Sequence, residues 1–466
     1  MSLENIPNVA SPAPPKPSPL WLKFDFLRPE WVFLILAVVA GLFIALVNPP
    51  FQSPDEVAHF ARVYQLSEGT LIAQKNQTQI GGWLPQGIYE APLPFQKITQ
   101  LELPTVYKML KQPFATEPRH FVEFMHTALY SPVAYGPAVI GVWSGRMLGL
   151  SALGQLYASR IATLLGWLLI VFFAIRAMPV FKWVMVMIAL MPMTVFLSAS
   201  TSADAMTNAL ALLTTALILN SALAQKGPVC AREWLTLVAA CLLLALAKQL
   251  YFPIAALTFL TPTARFGSRQ RKTMFCLGVI GAALAANLIW LVLVRDTVTV
   301  EPWAHPHDQT IFIFSHPFQY AALLWHMLDW SQTYLIWFVG TFGELNVYLP
   351  PWIWPTYLAA LLTAAFLDQG HGRPLKSRER WLIIAVCAVT VLLIVTSQYI
   401  CYTSVAAKMI RGLQGRYVIP LAVAGLLVFY NRKTKAPGQT FNLLVIAYCA
   451  LVLVITGHTL VDRYYQ

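Results

Sequence analysis

The stretch WVFLILAVVAGLFIALV, residues 31–47, carries no charged and no strongly polar side chain. In hydrocarbon a backbone has no water to bond, so such a segment must satisfy its own hydrogen bonds as a helix. Roughly 20 apolar residues carry a helix across the ~30 Å core of a bilayer. Runs of this kind recur at 158–177, 183–199, 204–224, 234–247, 250–263, 274–294, 352–367, 381–400, 417–430 and 441–459. With 58% hydrophobic and only 11% charged residues, and a mean hydropathy of +0.60, the chain falls far below the roughly 25% charge of a soluble protein. It reads as an all-α polytopic membrane protein. The opening MSLENIPNVASPAPPKPSPL lacks the basic start and apolar middle of a signal peptide, so residues 1–30 read as a cytoplasmic tail. The six cysteines are scattered through the chain without metal-ligand spacing and suit helix packing.

Charge orients the spans. Basic clusters occupy the short connectors: Arg176 with Lys182, Lys226 with Arg232, ARFGSRQRK at 264–272, GRPLKSRER at 372–380 and NRKTK at 431–435. The positive-inside rule assigns each to the cytoplasm. One arrangement satisfies all of them: eleven crossings, N-terminus inside, C-terminus outside, with the Pro- and Gly-rich stretch 130–148 dipping in and returning. The whole formal excess of +12 then faces the cytoplasm, and nucleic acid need not be invoked. Two half-length runs flank KQLYFP and require an excursion that places Lys248 near the outer face, where a lysine is costly unless it meets water or an anion. Two large outer segments remain, 48–157 and 295–351, read as juxtamembrane helices and loops roofing the bundle. The chain thus divides into a tail (1–30), a transmembrane module (31–294) with the first loop, the second loop (295–351) and the C-terminal spans (352–466).

Polar residues gather in those outer parts. In NPPFQSPDEVAHFARVYQLSEG, residues 48–69, SPDE has the form of a capping box, with Ser53 as N-cap, Pro54 at N1 and Glu56 reaching back. That reading leaves Asp55 unused. Helical spacing aligns Asp55, His59 and Arg62 in a polar stripe that serves either a site or a solvated face. STSADAMTN, 200–208, places Asp204 at the outer end of a span, as part of a helix cap or as a substrate contact. AAKMIRGLQGRYVIP, 406–420, holds Lys408, Arg411, Gln414, Arg416 and Tyr417 against the positive-inside bias. Arginine suits a phosphate because its planar fork donates two hydrogen bonds; snorkelling to lipid headgroups is the alternative. His305, His307 and Asp308 make a weak metal pattern, better read as loop hydrogen bonding. No phosphate loop, dinucleotide fingerprint or HExxH occurs, so no cofactor is indicated and a divalent metal is not specifically called for.

The stretches PPFQSPDEVAHFARVYQLSEG (49–69), SPVAYGPAVIG (131–141), PMTVFLSASTSADA (192–205), AKQLYFP (247–253) and LQGRYVIP (413–420) together resemble a bacterial family of predicted polytopic membrane proteins of unknown function. PDE-x-x-HF and QGRY are the specific parts. Members of that family are similar to the GT-C superfamily of glycosyltransferases. The resemblance implies a GT-C-like bundle in the bacterial inner membrane with its active site on the extracytoplasmic face. It implies Asp55 as catalytic base, supported by Glu56, His59 and Arg62, and a polyprenyl-phosphate-sugar donor held by Lys248, Arg411, Arg416 and Tyr417. Asp204, Gln414 and Glu344 are implied as further substrate contacts. Glu344-Leu345-Asn346 departs from the bulky aromatic and acid that relatives often carry there. The acceptor would be a glycan, glycolipid or cell-wall polymer. Direct displacement at a sugar carbon needs a base for the acceptor proton and cations for the leaving phosphate, which agrees with that residue set. The rival functions are a transporter or flippase of lipid-linked saccharides, which predicts mid-span charges and internal pseudo-symmetry, and a glycan polymerase or ligase relying on late-loop Arg and His.

Overall fold

A computed structural model describes residues 27–96, 98–298, 300–368, 372–430 and 438–466. The expected tail before Leu27 and the connector NRKTK lie outside the described residues. Among the described residues the protein is mostly helical, and six helices are long and apolar enough to cross a membrane. These are α1 (Pro29–Val47), α4 (Ala152–Ala177), the run Ala203–Ala224 whose α-helical part is α7 (Ala203–Leu219), α9 (Arg269–Leu293), α11 (Ser377–Tyr402) and α13 (Gln439–Tyr465). Between them come α2 (Glu56–Ser67), α3 (Gly136–Met147), α5 (Lys182–Ala189), α6 (Pro192–Ser198), α8 (Ala231–Ala247), α10 (Ile353–Leu367) and α12 (Ile419–Leu426).

Local chemistry sets the helix ends. Ser151, Ser202 and Ser268 each accept a backbone N–H at the start of α4, α7 and α9, as N-cap side chains should. Pro192 splits the expected span 183–199 into α5 and α6, because a proline inside a helix removes one hydrogen bond and fits best at a fresh N-terminus. Gln249–Leu260 is a twelve-residue 3-10 helix. At ~2.0 Å per residue it rises about 24 Å, nearly matching the ~25 Å of the seventeen-residue α8. A run too short to cross as an α-helix therefore returns the full length of α8.

The basic connectors meet at one end of the bundle, where their side chains terminate helices. Arg373 donates to the carbonyls of Ala222 (2.9 Å) and Leu260 (2.7 Å), Arg265 to Ser221 (2.8 Å), and Arg380 to Val428 and Tyr430 (2.8 Å each). Asn220 reaches the Ala177 carbonyl at 2.6 Å. Cations on the last carbonyls of a helix are favoured by both hydrogen bonding and the helix dipole. At the opposite end, Tyr465 donates to the Val47 carbonyl (2.9 Å) and Ser131 to that of Leu246 (2.7 Å). The helix α3 lies along α4. A Cβ on Gly166 would come within 2.5 Å of Pro137 Cγ, and Gly145 lies against Gln155. The N-terminal end of α3 thus reaches halfway along α4 and its other end returns to the start of α4.

The first loop contains more order than its sequence suggests. Besides α2, it forms a three-stranded antiparallel sheet of β1 (Gln74–Asn76), β2 (Gln79–Pro85) and β3 (Arg119–Glu123), with Trp83 opposite Phe121. In the second loop β4 (Thr341–Phe342) and β5 (Val347–Tyr348) make a small hairpin.

The expected capping box does not form. Asp55, in a left-handed conformation (φ 59°), is the N-cap of α2 and gives no side-chain cap. Glu56 instead turns into the bundle and meets Arg160 of α4 at 2.5 and 2.8 Å, while also accepting the Thr201 N–H at 3.0 Å. The remaining Arg160 N–H groups donate to the carbonyls of Ala45, Asn48 and Pro49 at 2.7–3.0 Å. All five guanidinium donors are therefore used, and neither side chain has any exposed surface. Burial made the difference: a carboxylate shut away from water needs a full ionic partner, which a single backbone N–H is not. Replacing Arg160 with Met strands the Glu56 carboxylate and should destabilise the fold by about 3–5 kcal/mol, read as earlier unfolding in detergent.

Candidate functional site

The α1–α2 connection, the start of α7, the α8 terminus and the segment before α12 converge at the end opposite the basic connectors. They enclose a cavity of ≈ 200 Å³. Its charged lining includes Asp55, Asp204, Lys248 and Arg416; His59, Gln414 and Tyr417 also face it. The backbone explains why these side chains point there. The left-handed turn at Asp55 ends the loop whose carbonyls Arg160 holds. Asp204 sits one turn into α7 because Ser202 caps it. Lys248 is the hinge residue between α8 and the 3-10 helix. Gly415 lets Arg416 in, since a Cβ there would come within 2.5 Å of the Phe338 nitrogen.

Ion pairs connect the four charges. Lys248 Nζ lies 2.7 Å from Asp204 Oδ1, Arg416 Nε 3.3 Å from Asp204 Oδ2, and Arg416 Nη2 donates to Asp55 Oδ2 at 3.2 Å. The Arg416 side chain is only 4% exposed, yet its Nη1 finds no hydrogen-bond partner, and its Nε approaches Asp204 off the hydrogen-bond direction. Donors of a buried guanidinium are rarely left unused. Burial opposes a charge on Lys248, but the Asp204 carboxylate outweighs it and holds the lysine well above its ordinary value. The Lys248 ammonium also lies 4.6 Å from the centre of the Tyr417 ring, within cation–π range. Tyr417 is itself fixed through its carbonyl, which accepts from Tyr251 at 2.7 Å.

His59 is 5% exposed, stacks on Tyr130 and shares a 2.7 Å hydrogen bond with Tyr135. Burial lowers its pKa to about 4, reinforced by Arg416 and Lys248 and opposed by Asp55 and Asp204. The imidazole is therefore neutral near pH 7.

Other expected residues lie elsewhere. Arg62 is fully buried behind α2, bonding Gln65 and the Leu71 carbonyl rather than extending the stripe; one further helical step turns it away from the cavity and toward the sheet. Arg411 lies outside the cavity, its guanidinium 5.6 Å from the centre of the Trp303 ring. Glu344 lines a neighbouring cavity of ≈ 340 Å³ that also touches Asp55 and Gln414. His307 and Asp308 enter the first turn of a helix beginning at Pro306, and no group of three His, Cys, Asp or Glu among the described residues could hold a metal. Sequence reasoning missed Tyr130, His126, Glu301 and Tyr402 in the cavity wall. It also passed over Arg160, whose signal was a lone charge inside an apolar span.

The four charges joined by ion pairs in this cavity, Asp55, Asp204, Lys248 and Arg416, fall in the stretches that carry the resemblance. Residues 38–424 match the family described as "Predicted membrane protein (DUF2142)". The chain belongs to that DUF2142 family. No curated protein matches it, and neither does any solved structure. Membership agrees with the apolar helices, and the DUF2142 description extends no further than a predicted membrane protein.

The neutral state of His59 has a consequence for stability. In the unfolded chain this histidine takes up a proton near pH 6.5, whereas in the fold it does so near 4. Between those values the unfolded state binds more protons, so stability falls as the pH drops from 6.5 toward 4, by up to about 3 kcal/mol. Thermal unfolding of His59→Gln in detergent should lack that part of the slope.

Proposed function

We propose that this protein is an inverting glycosyltransferase that uses a polyprenyl-phosphate-linked sugar on the extracytoplasmic face of the bacterial inner membrane. The observation that carries the reading is the single cavity in which the Asp55 carboxylate faces Arg416 and Lys248, with a buried Arg416 Nη1 left without a partner. In the proposed reaction the acceptor hydroxyl attacks the anomeric carbon as its bond to the donor phosphate breaks. The electron pair leaves on the phosphate oxygen, the hydroxyl proton passes to Asp55, and the lipid phosphate departs. One displacement inverts the anomeric centre. Arg416 and Lys248 stabilise the growing charge on the phosphate. Asp204, bound to both cations, is assigned to holding them in place. When a phosphate takes over the Arg416 fork, Asp55 loses its 3.2 Å partner and its carboxylate is free to accept the hydroxyl proton.

A lipid-linked donor is supported by an apolar groove of ≈ 770 Å³ that meets the cavity at Gln414 and Tyr417. It runs between α11 and α12, past Leu324, Val391 and Gly425, to Val428. Arg380 caps the carbonyl of that same Val428 among the basic connectors, so the groove extends through the depth of the bundle. The transport reading predicts buried charges at mid-span. Among the described residues the buried charged side chains Glu30, Glu56, Asp204, Arg265, Asp368 and Arg416 lie instead at helix ends or in connectors, Arg62 lies within α2, which is not one of the long apolar helices, and Arg160 lies at the mouth.

We further propose eleven crossings: the six long helices, the α5–α6 pair, α8, the 3-10 helix, α10 and the run through α12, with α3 re-entrant. The gathering of Arg265, Arg373 and Arg380 at one end supports this count. In a cysteine-free background Lys376→Cys, at an exposed position beside the buried Leu375, should resist an impermeant thiol reagent added to the outside of intact cells and react once the cells are opened; ready labelling from outside would overturn the count.

The reaction is tested with purified protein, a labelled polyprenyl-phosphate sugar and an acceptor extract. Asp55→Asn keeps the shape and removes the base, so transfer should fall by ~10²–10⁴; unchanged transfer would remove Asp55 from that role. Arg416→Lys should raise the donor KM about tenfold or more with little change in the acceptor KM. Equal loss for both substrates would make Arg416 a structural residue.

A further inference from the structure

The Asp55 carboxylate stands between two cavities of different character. One holds both Lys248 and Arg416 beside the carboxylates Asp204 and Glu301; the other is the ≈ 340 Å³ space, whose charged lining is Asp55, Glu56, Glu123 and Glu344 and includes no Lys, Arg or His. Glu56 turns its carboxylate away into Arg160. The other three come from distant parts of the chain: the start of α2, the end of β3 and the β4–β5 turn. Glu344 is held in a hairpin that Gly343 (φ 61°) and Leu345 (φ 63°) turn tightly, and that packs so closely against the end of α13 that a Cβ on Gly343 would come within 3.0 Å of the Tyr464 hydroxyl. Gln414 lines both cavities, and its Oε1 is buried with no hydrogen-bond partner. A buried, unused acceptor oxygen calls for a ligand that donates.

We propose that this second cavity receives the acceptor, and that it selects an uncharged or ammonium-bearing polyol and rejects a phosphate-bearing one. The inference deepens the glycosyltransferase reading and rests on it for the direction of approach. With the donor phosphate bound to Arg416 and Lys248 on the cationic side of Asp55, the incoming proton reaches the carboxylate from its other side. Hydroxyl and ammonium groups donate to carboxylates and to Gln414 Oε1, whereas a phosphate brings only negative charge and acceptor oxygens toward Asp55, Glu123 and Glu344. Three carboxylates with no cation among them repel a phosphate and favour an uncharged or cationic ligand, which sets specificity. The two halves of the site then sort their substrates by sign, the phosphate-bearing donor to the cations and the hydroxyl-bearing acceptor to the carboxylates.

Binding and turnover are measured separately on the full chain in detergent. Native mass spectrometry is run with three probes: a neutral tetrasaccharide, a chitosan tetramer and a glycerol phosphate trimer. The first two should bind and the third should bind at least about tenfold more weakly. Glu123→Gln/Glu344→Gln should cut chitosan tetramer binding about tenfold and narrow the gap to the glycerol phosphate trimer, with binding of a polyprenyl phosphate unchanged. Equal binding of all three probes, binding of none, or a double variant that leaves their ratios untouched overturns the acceptor assignment. Labelled-donor transfer distinguishes the two failures: correct probe selectivity with normal transfer by Asp55→Asn sinks the catalytic reading alone.

Discussion

The buried pair of Glu56 and Arg160 is the constraint on which the cavity end of this bundle depends. Two ions removed from water are tolerated only when each lone pair and each N–H finds a partner, and here one guanidinium ties together three otherwise separate pieces of chain. It holds the carbonyls that end α1, the carboxylate that begins α2 and, through Glu56, the Thr201 amide just before α7. Asp55 precedes Glu56 and Asp204 follows Thr201 by three residues. The pair therefore sets the distance between the two acids that line the cavity, although neither Glu56 nor Arg160 contributes a group to it.

Electrostatics organises the molecule at two scales. Across the bundle, arginines at one end take up the carbonyls of Ser221, Ala222, Leu260, Val428 and Tyr430. The sequence bias that orients membrane helices has, in the folded chain, a second use as helix capping. Around the cavity, Lys248 and Arg416 share Asp204 while Asp55 stands at their edge, and Glu123 and Glu344 lie beyond it. Burial of Asp204 and Arg416 makes their attraction count for more than it would in water.

The sequence made much of this legible. Apolar run length located the membrane helices, and Ser202 before Asp204 announced a real cap. The motifs around Asp55, Asp204, Lys248 and Arg416 identified four of the charged side chains that line the cavity. It misled where a local pattern competed with burial. SPDE has the spacing of a capping box, yet Glu56 left that role for Arg160, and Arg62 followed the helical stripe only on paper because one more step turned it to the sheet. The sheet itself was hidden, since strands of three, seven and five residues, the last more than thirty residues after the second, leave little periodicity to read. Arg411 looked like a partner of Arg416 because they are close in sequence, but the turn at Gly412 (φ 75°) sends it to Trp303 instead.

Hydrophobicity and charge bias are properties of composition and order, so the chain alone determined that it is a helical membrane protein and which connectors gather together. The cavity is a different kind of fact. Asp55 and Arg416 are 361 positions apart, and no local rule specifies that their side chains meet at 3.2 Å or that Asp204 bridges two cations. Packing decided that, because removing these ions from water left each of them stable only beside a particular partner.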